Sequence, residues 1–427
     1  MIVYTQNITS RLKYIVDFIG SQVSVDGIHL TTDIDSFRKA EGPKINYSAA
    51  QITKEELWLS PHSLLFETGI HQQSTGTFEW KESKAFFKTN GDFPFDIFAA
   101  SFYLLSRYEE YLPHEKDEYG RYAHQNALAF REKFIHFPLV NFWIRELAAV
   151  TGSKIQSAFQ FIPTYDIDEG YCYLNKSWWR TMGGYVRSAL QGNWKEFSER
   201  RKVLGGKIPD PYDSYDWIRN LHQEKMKDLE THVFFLVAEK KGKWDKNISP
   251  FKHKWREKAR DFMSSSAFQA GIHPSWQSGD DPSLLRKELE ILEQLLRVTA
   301  KGSRQHYIRF NLPLTYRQLI DAGITCDFSM GYGSINGFRA SVASPFYWYD
   351  LEKETKTDLL LYPFCFMDAN SFYEQRLTPA QAAKELVHYH YVVQLVNGTL
   401  VTIWHNTFLG THERFKGWRN VYEDFFP

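Results

Sequence analysis

The stretch FIPTYDIDEG, Phe161–Gly170, runs from apolar residues into two aspartates, Asp166 and Asp168, separated by one isoleucine. A β-strand alternates faces with period two, so these carboxylates share a face while Ile167 turns to the other. Two like charges that close raise each other's pKa unless a cation or strong donors sit beside them. The pair therefore asks for a partner. An isolated D-x-D is also a common loop cap, and TTDIDSF repeats the spacing at Asp33 and Asp35 with no apolar strand leading in. What else converges on Asp166 and Asp168 decides between the two readings.

Downstream of Phe161, short apolar runs alternate with helical stretches. The runs are FIPTYDID, THVFFLV, AGIHPSW, RQHYIRF, GITCDFS, DLLLYPFCF and LVTIWHN. Helices such as PSLLRKELEILEQLLRVTA and TPAQAAKELVHYHYVVQLVNG lie between several of them. This alternation predicts an α/β fold with a parallel sheet, and seven units predict a distorted (β/α)7-type barrel over residues 156–427. Before it, short strand-like runs such as ELWLSPHSLLFET accompany the amphipathic helix FDIFAASFYLLSRYEEYL. FPLVNFWIRELAAVTG reads as a helix closed by Gly152. A smaller α+β N-terminal domain of unknown role is expected over residues 1–155, with SRYEEY as a surface or interdomain face.

The bulk properties narrow the function classes. The 427 residues carry 51 Lys plus Arg against 51 Asp plus Glu, a balance without the basic footprint of a nucleic-acid partner. Cys172, Cys326 and Cys365 show no C-x-x-C spacing, so neither a disulfide framework nor a cysteine zinc site is signalled. No apolar run approaches a membrane span and the first residues lack a signal-peptide pattern, so a cytoplasmic location is expected. Oligomeric state is left open. Aromatic residues reach 16 per cent, which suits both a ring-rich core and a saccharide cleft.

In parallel barrels, chemistry collects at the C-terminal ends of the strands. Here those ends carry Asp166 and Asp168, then His273, then Arg304, Gln305 and His306, then Asp327, Asp368 and His405. A structural barrel needs no such ring of ionisable groups. A metal-assisted or acid–base site does.

The ordered motifs TYDID, GIHPSW, RQHY, CDFS and IWHN resemble those of the polysaccharide deacetylase superfamily (NodB-homology, carbohydrate esterase 4-like) over about residues 160–420. The wording of SRQHYIRFNLPLTYRQLIDAGIT, MGYGSINGFRA and WHNTFLGTHERFKGWRNVY is similar to a branch in Bacteroidetes-type bacteria with an extra N-terminal domain. The resemblance implies Asp166 as general base, Asp168 and His273 as metal ligands, and Arg304 holding the base. It implies His405 as general acid and Asp327 as an orienting acid. The metal would be divalent, zinc foremost, with cobalt or nickel as alternatives. The substrate would be a saccharide losing an N-acetyl, or less often an O-acetyl, group in a cell-envelope or exported-polysaccharide pathway. Tyr307 is a candidate oxyanion holder through its backbone N–H.

The match breaks at Gln277, where the family has its second histidine; glutamine is a poor ligand for zinc. His306 in RQHY, where the family has a proline, is the candidate replacement, giving Asp168, His273 and His306. A satisfied polar residue beneath the rim is the alternative for His306. Arg339 and Asp368 are candidates for saccharide binding or for structural ion pairs. Trp276, Trp178 and Trp179 are candidate sugar-stacking rings or core, and His388 and His390 point in different directions and make a poor metal pair. The rival of a different class is a catalytically silent barrel that binds carbohydrate or a protein partner. A third reading is a metal-independent amide hydrolase using Asp166 and His405.

Overall fold

The computed structural model describes residues 1–24, 27–227, 229–239 and 242–426. The first unit of the chain is a parallel sheet of four short strands: β1 (Ile2–Thr5), β2 (His29–Thr31), β3 (Lys44–Tyr47) and β4 (Leu57–Leu59), in the order β2-β1-β3-β4. A helix, Ser10–Val23, links β1 to β2 and buries Leu12, Ile15, Val16 and Ile19, apolar positions at i, i+3, i+4 and i+7. Because every pair in this sheet is parallel with helices interleaved, the unit is α/β and not the expected α+β. Strands of three or four residues are too short to show a period in sequence. An antiparallel ribbon, β5 (Phe78–Trp80) with β6 (Ser83–Ala85), follows. Helix Leu139–Thr151 then ends at Gly152, whose φ of 66° is the left-handed turn that glycine adopts without strain.

The remainder is built on a nine-stranded sheet among the described residues. Its strands are β7 (Gln160–Ile167), β8 (Thr231–Phe235), β9 (Phe268–Ile272), β10 (Gly302–Ser303), β11 (Cys326–Asp327), β12 (Phe346–Asp350), β13 (Thr355–Leu361), β14 (Phe366–Met367) and β15 (Thr399–His405). The order is β12-β13-β11-β10-β9-β8-β7-β15-β14, and only β12 runs antiparallel. The expected run DLLLYPFCF divides at Pro363 into β13 and β14, which lie near opposite edges of the sheet; proline cannot donate to a ladder and ends the first strand. RQHYIRF, residues 304–310, is expected as a strand but forms none: β10 ends at Ser303, just before it. Beyond it the chain turns through a 3-10 segment with Tyr307 at φ 60° and Ile308 at φ 55°.

One apolar core runs through both parts, from Val3 and Phe98 to Trp348 and Trp404. Of the two readings of SRYEEY, surface or interdomain face, the second holds: Arg107, Glu109 and Glu110 are buried, and Arg339 of the second part donates to both carboxylate oxygens of Glu110, at 2.8 and 2.6 Å. Asp33 caps helix Ile34–Lys39 by accepting from the backbone N–H of Asp35, so the upstream D-x-D is a helix cap.

Candidate metal and acid–base site

Strand register brings the site together. Asp166 and His405 are directly paired positions of β7 and β15. His273 follows β9, and Arg304 and His306 follow β10, all at the C-terminal ends of parallel strands. These ends open into a cleft of about 440 Å3 lined by Asp166, Asp168, His273, His306, Tyr307 and His405.

Asp166 is buried, and its Oδ1 accepts from Arg304 Nη1 at 2.6 Å. Arg304 is fully enclosed. Its Nη2 donates to Thr164 Oγ1, its Nε to the Phe328 carbonyl, and its guanidinium lies 4.4 Å from the Phe234 ring centre. Gly271 makes this possible, since a Cβ there would stand 2.4 Å from that ring. With its donors committed, Arg304 holds Asp166 in one orientation.

Three imidazoles point Nε2 at Asp168. His273 Nε2 lies 3.2 Å from Oδ1, while His306 and His405 lie 3.6 and 3.7 Å from Oδ2. The opposite nitrogen of each ring is tied to an oxygen. His273 Nδ1 donates to the Arg304 carbonyl at 2.6 Å, His306 Nδ1 to Asp245 Oδ1 at 2.8 Å, and His405 Nδ1 to Asp368 Oδ1 at 2.6 Å. A carbonyl or an ionised carboxylate only accepts, so each Nδ1 carries the hydrogen and each Nε2 faces a carboxylate with its lone pair unless a further proton is bound. Lone pairs facing carboxylate oxygens need a positive charge between them. Asp168 Oδ1, buried and without a well-formed hydrogen bond, marks the same requirement.

Protons or a metal ion can meet that need. Burial pushes Asp168 up, but His306, His273 and His405 outweigh it and hold the carboxyl well below its usual range. Burial lowers His306, yet Asp168 and Asp245 raise it to about 9; Asp368 and Asp168 likewise overcome burial to raise His405 to about 10. The ligand atoms of Asp168, His273 and His306 lie within 4.8 Å of one another. One carboxylate oxygen and two imidazole nitrogens, each ring fixed by an outer acceptor, is a donor set that suits zinc, cobalt or nickel.

Several expected residues lie elsewhere. Arg339 is absorbed by Glu110 in the buried ion pair and does not line the cleft. Asp368 is not a saccharide group: both its oxygens clamp His405, Oδ2 accepting from the backbone N–H at 2.7 Å. Asp327 accepts from Ser303 and Ser329 and makes no hydrogen bond to the expected set. Trp276 lies outside the cleft lining, covered by Arg309, whose guanidinium is 4.1 Å from its ring centre. Trp178 and Trp179 are exposed. Tyr307 lines the cleft, its ring stacked on Tyr119 at 5.2 Å.

Asp245 was not singled out in the sequence. It lies in the segment after β8, inside KWDKN, with no motif around it. Gln277 Nε2 approaches its Oδ2 at 3.3 Å, so the residue standing where a second histidine was expected serves the carboxylate that orients His306. The Tyr119–Arg121 turn of the N-terminal region was missed as well. Arg121 donates to the carbonyls of Tyr307 and Gly333, both at 2.9 Å. A Cβ on Gly333 would sit 2.1 Å from Arg121 Nη1, so glycine leaves the room this contact requires.

Residues 1–156 match the model of a family of unknown function, DUF7033. No curated protein matches the chain. Among solved structures, a chain from Mycobacterium smegmatis named as a polysaccharide deacetylase is 15% identical, with TM-score 0.40, covering 63% of this chain and 84% of its own. Puue allantoinase is 14% identical at TM-score 0.40, covering 63% and 82%. A chain from Pseudomonas aeruginosa PAO1, also named as a polysaccharide deacetylase, is 12% identical at TM-score 0.39, covering 63% and 84%. These likenesses are distant.

Proposed function

We propose that the protein is a metal-dependent deacetylase that hydrolyses an N-acetyl, or less often an O-acetyl, group on a saccharide of a cell-envelope or exported-polysaccharide pathway, acting in the cytoplasm. The observation that carries this reading is the convergence of three Nδ1-anchored imidazoles on Asp168 beside an Arg304-held Asp166. The ordered motifs that resemble the deacetylase superfamily support it.

Asp168, His273 and His306 would hold the ion. A divalent cation bound there supplies Lewis-acid polarisation of the acetyl carbonyl. Asp166, its Oδ1 committed to Arg304, is placed to accept a proton from the attacking water. His405 carries a proton to the departing amine, and Asp368 fixes the ring and stabilises its charged form. Arg304 holds Asp166 in one orientation through the bond to its Oδ1.

The test is acetate release from a panel of N-acetylated oligosaccharides by zinc-loaded protein, with and without chelator. Release that stops on chelation and in Asp166→Asn supports the reading. Release that survives in Asp166→Asn would contradict it.

A further inference from the structure

Helix Trp178–Leu190 leaves an unusual face uncovered. Trp178 is 78% exposed, Trp179 63%, Met182 52%, Val186 55% and Leu190 83%, and Trp194 beyond it is 64% exposed. At about 100° per residue, the five helical side chains span an arc of roughly 120°. The opposite side is the packed one: Ser188 is buried and a Cβ on Gly184 would stand 2.2 Å from Arg200 Nη1, while Tyr185, at the edge of the arc, meets Phe197 with ring centres 4.8 Å apart. The apolar stripe is therefore not the helix's contact with its own fold.

Its charge surroundings identify the occupant. Residues 176–207 contain eight Lys or Arg and two Glu, a net of +6 in a chain whose total is zero. Arg180 and Arg187 border the apolar arc, and Lys195, Arg201, Lys202 and Lys207 are exposed nearby. Large apolar side chains led by tryptophan, edged by basic groups on a helix too short and too polar to span, form the pattern that lies in the headgroup region of a bilayer. Among the described residues no helix is long and apolar enough to cross a membrane.

We infer that helix Trp178–Leu190 is an interfacial anchor that binds the surface of an anionic lipid bilayer. The position is apt for the site. The helix starts ten residues after Asp168, and Lys176 at its entry pairs with Glu169, a residue of the cleft wall, at 3.1 Å. A second cavity lined by Lys176, Trp179, Arg180 and Lys252 shares Lys246 with the cleft. A chain docked through this face would hold its cleft close to headgroups. The anchoring itself does not depend on the deacetylase reading.

The experiment is sedimentation of the full chain with vesicles of phosphatidylcholine, alone or with about 30 per cent phosphatidylglycerol, an anionic content in the range cells present. Tryptophan emission is read in parallel. Binding to the anionic vesicles with a blue shift, weakened by about 0.5 M salt, is the expected result. The combined Trp178→Ser, Trp179→Ser and Met182→Ser variant loses at least about tenfold in partitioning, because it removes the apolar area that would be buried. Arg180→Glu with Arg187→Glu loses binding to anionic vesicles while keeping the apolar stripe, a second variant whose surface changes leave the core untouched. Failure of the wild type to sediment, or equal sedimentation of the triple variant, overturns the inference. So does a dimer in solution that dissociates in the triple variant, which would show that a second copy covers the face.

Discussion

Asp245 accepts from His306 Nδ1 at 2.8 Å, and this bond turns His306 Nε2 toward Asp168, 3.6 Å away. An outer carboxylate of this kind fixes ring orientation and strengthens the imidazole as a donor, and its removal typically costs 10–100-fold in metal affinity. Asp245→Asn is predicted to weaken zinc binding by about that factor without unfolding the protein. Competition with a chelating dye measures it. Unchanged affinity would mean that Asp245 does not position the ring.

Gln277 contacts the other oxygen of Asp245, at 3.3 Å, and is one step further out. Gln277→Ala is predicted to weaken zinc binding less than Asp245→Asn does, by under about tenfold. The same titration checks this ranking, and a larger loss for Gln277→Ala would instead place glutamine among the direct ligands.

His405 and Asp166 are predicted to separate from the ligands in behaviour. Asp166→Asn and His405→Ala should each lower turnover by about 10²–10⁴-fold while retaining metal. Asp368→Asn should act through His405: Asp368 is the main group raising that ring toward about 10, so its loss lowers the His405 pKa and moves the alkaline limb of the rate profile to lower pH. A pH profile of kcat reads this, and an unmoved limb would remove His405 from the role of proton donor.

The N-terminal region is tied to the sheet by a buried ion pair with a calculable pH response. Burial raises Glu110, but Arg339 and Arg107 outweigh it and lower its pKa from 4.5 to about 2. A depressed carboxylate contributes stability that is complete above its unfolded value and lost as pH falls through its folded one. Wild type should therefore lose roughly 3 kcal/mol more than Glu110→Gln between about pH 5 and pH 2. At neutral pH, Glu110→Ala should cost about 3–5 kcal/mol by leaving Arg339 unpaired. Urea unfolding at several pH values tests both, and parallel pH profiles of wild type and Glu110→Gln would show that the pair does not titrate as described.

The parts of the fold and site legible in the sequence were those whose local pattern and tertiary role agree. Strands such as FIPTYDID and LVTIWHN are continuously apolar because they are buried on both faces, and their polar ends fall at one edge by the geometry of a parallel sheet. Asp166, Asp168, His273, Arg304, His306 and His405 could be placed together from that rule. RQHYIRF misled because an aromatic and β-branched run reads as a strand, while the chain there takes left-handed turns pinned by Arg121 from a distant segment. SRYEEY left open a surface or an interdomain face because the partner of Glu110, Arg339, stands more than two hundred positions away and no local pattern records it. Asp245 was invisible for the same reason: its meaning exists only once His306 is in place.

The most direct test is metal content by mass spectrometry on tag-free protein, alongside His306→Ala. The account predicts about one zinc, cobalt or nickel ion per chain in the wild type, lost in the variant because two remaining ligands hold such an ion weakly. A wild type that takes up no metal from excess zinc, or a variant that keeps its full complement, would contradict a centre built from Asp168, His273 and His306.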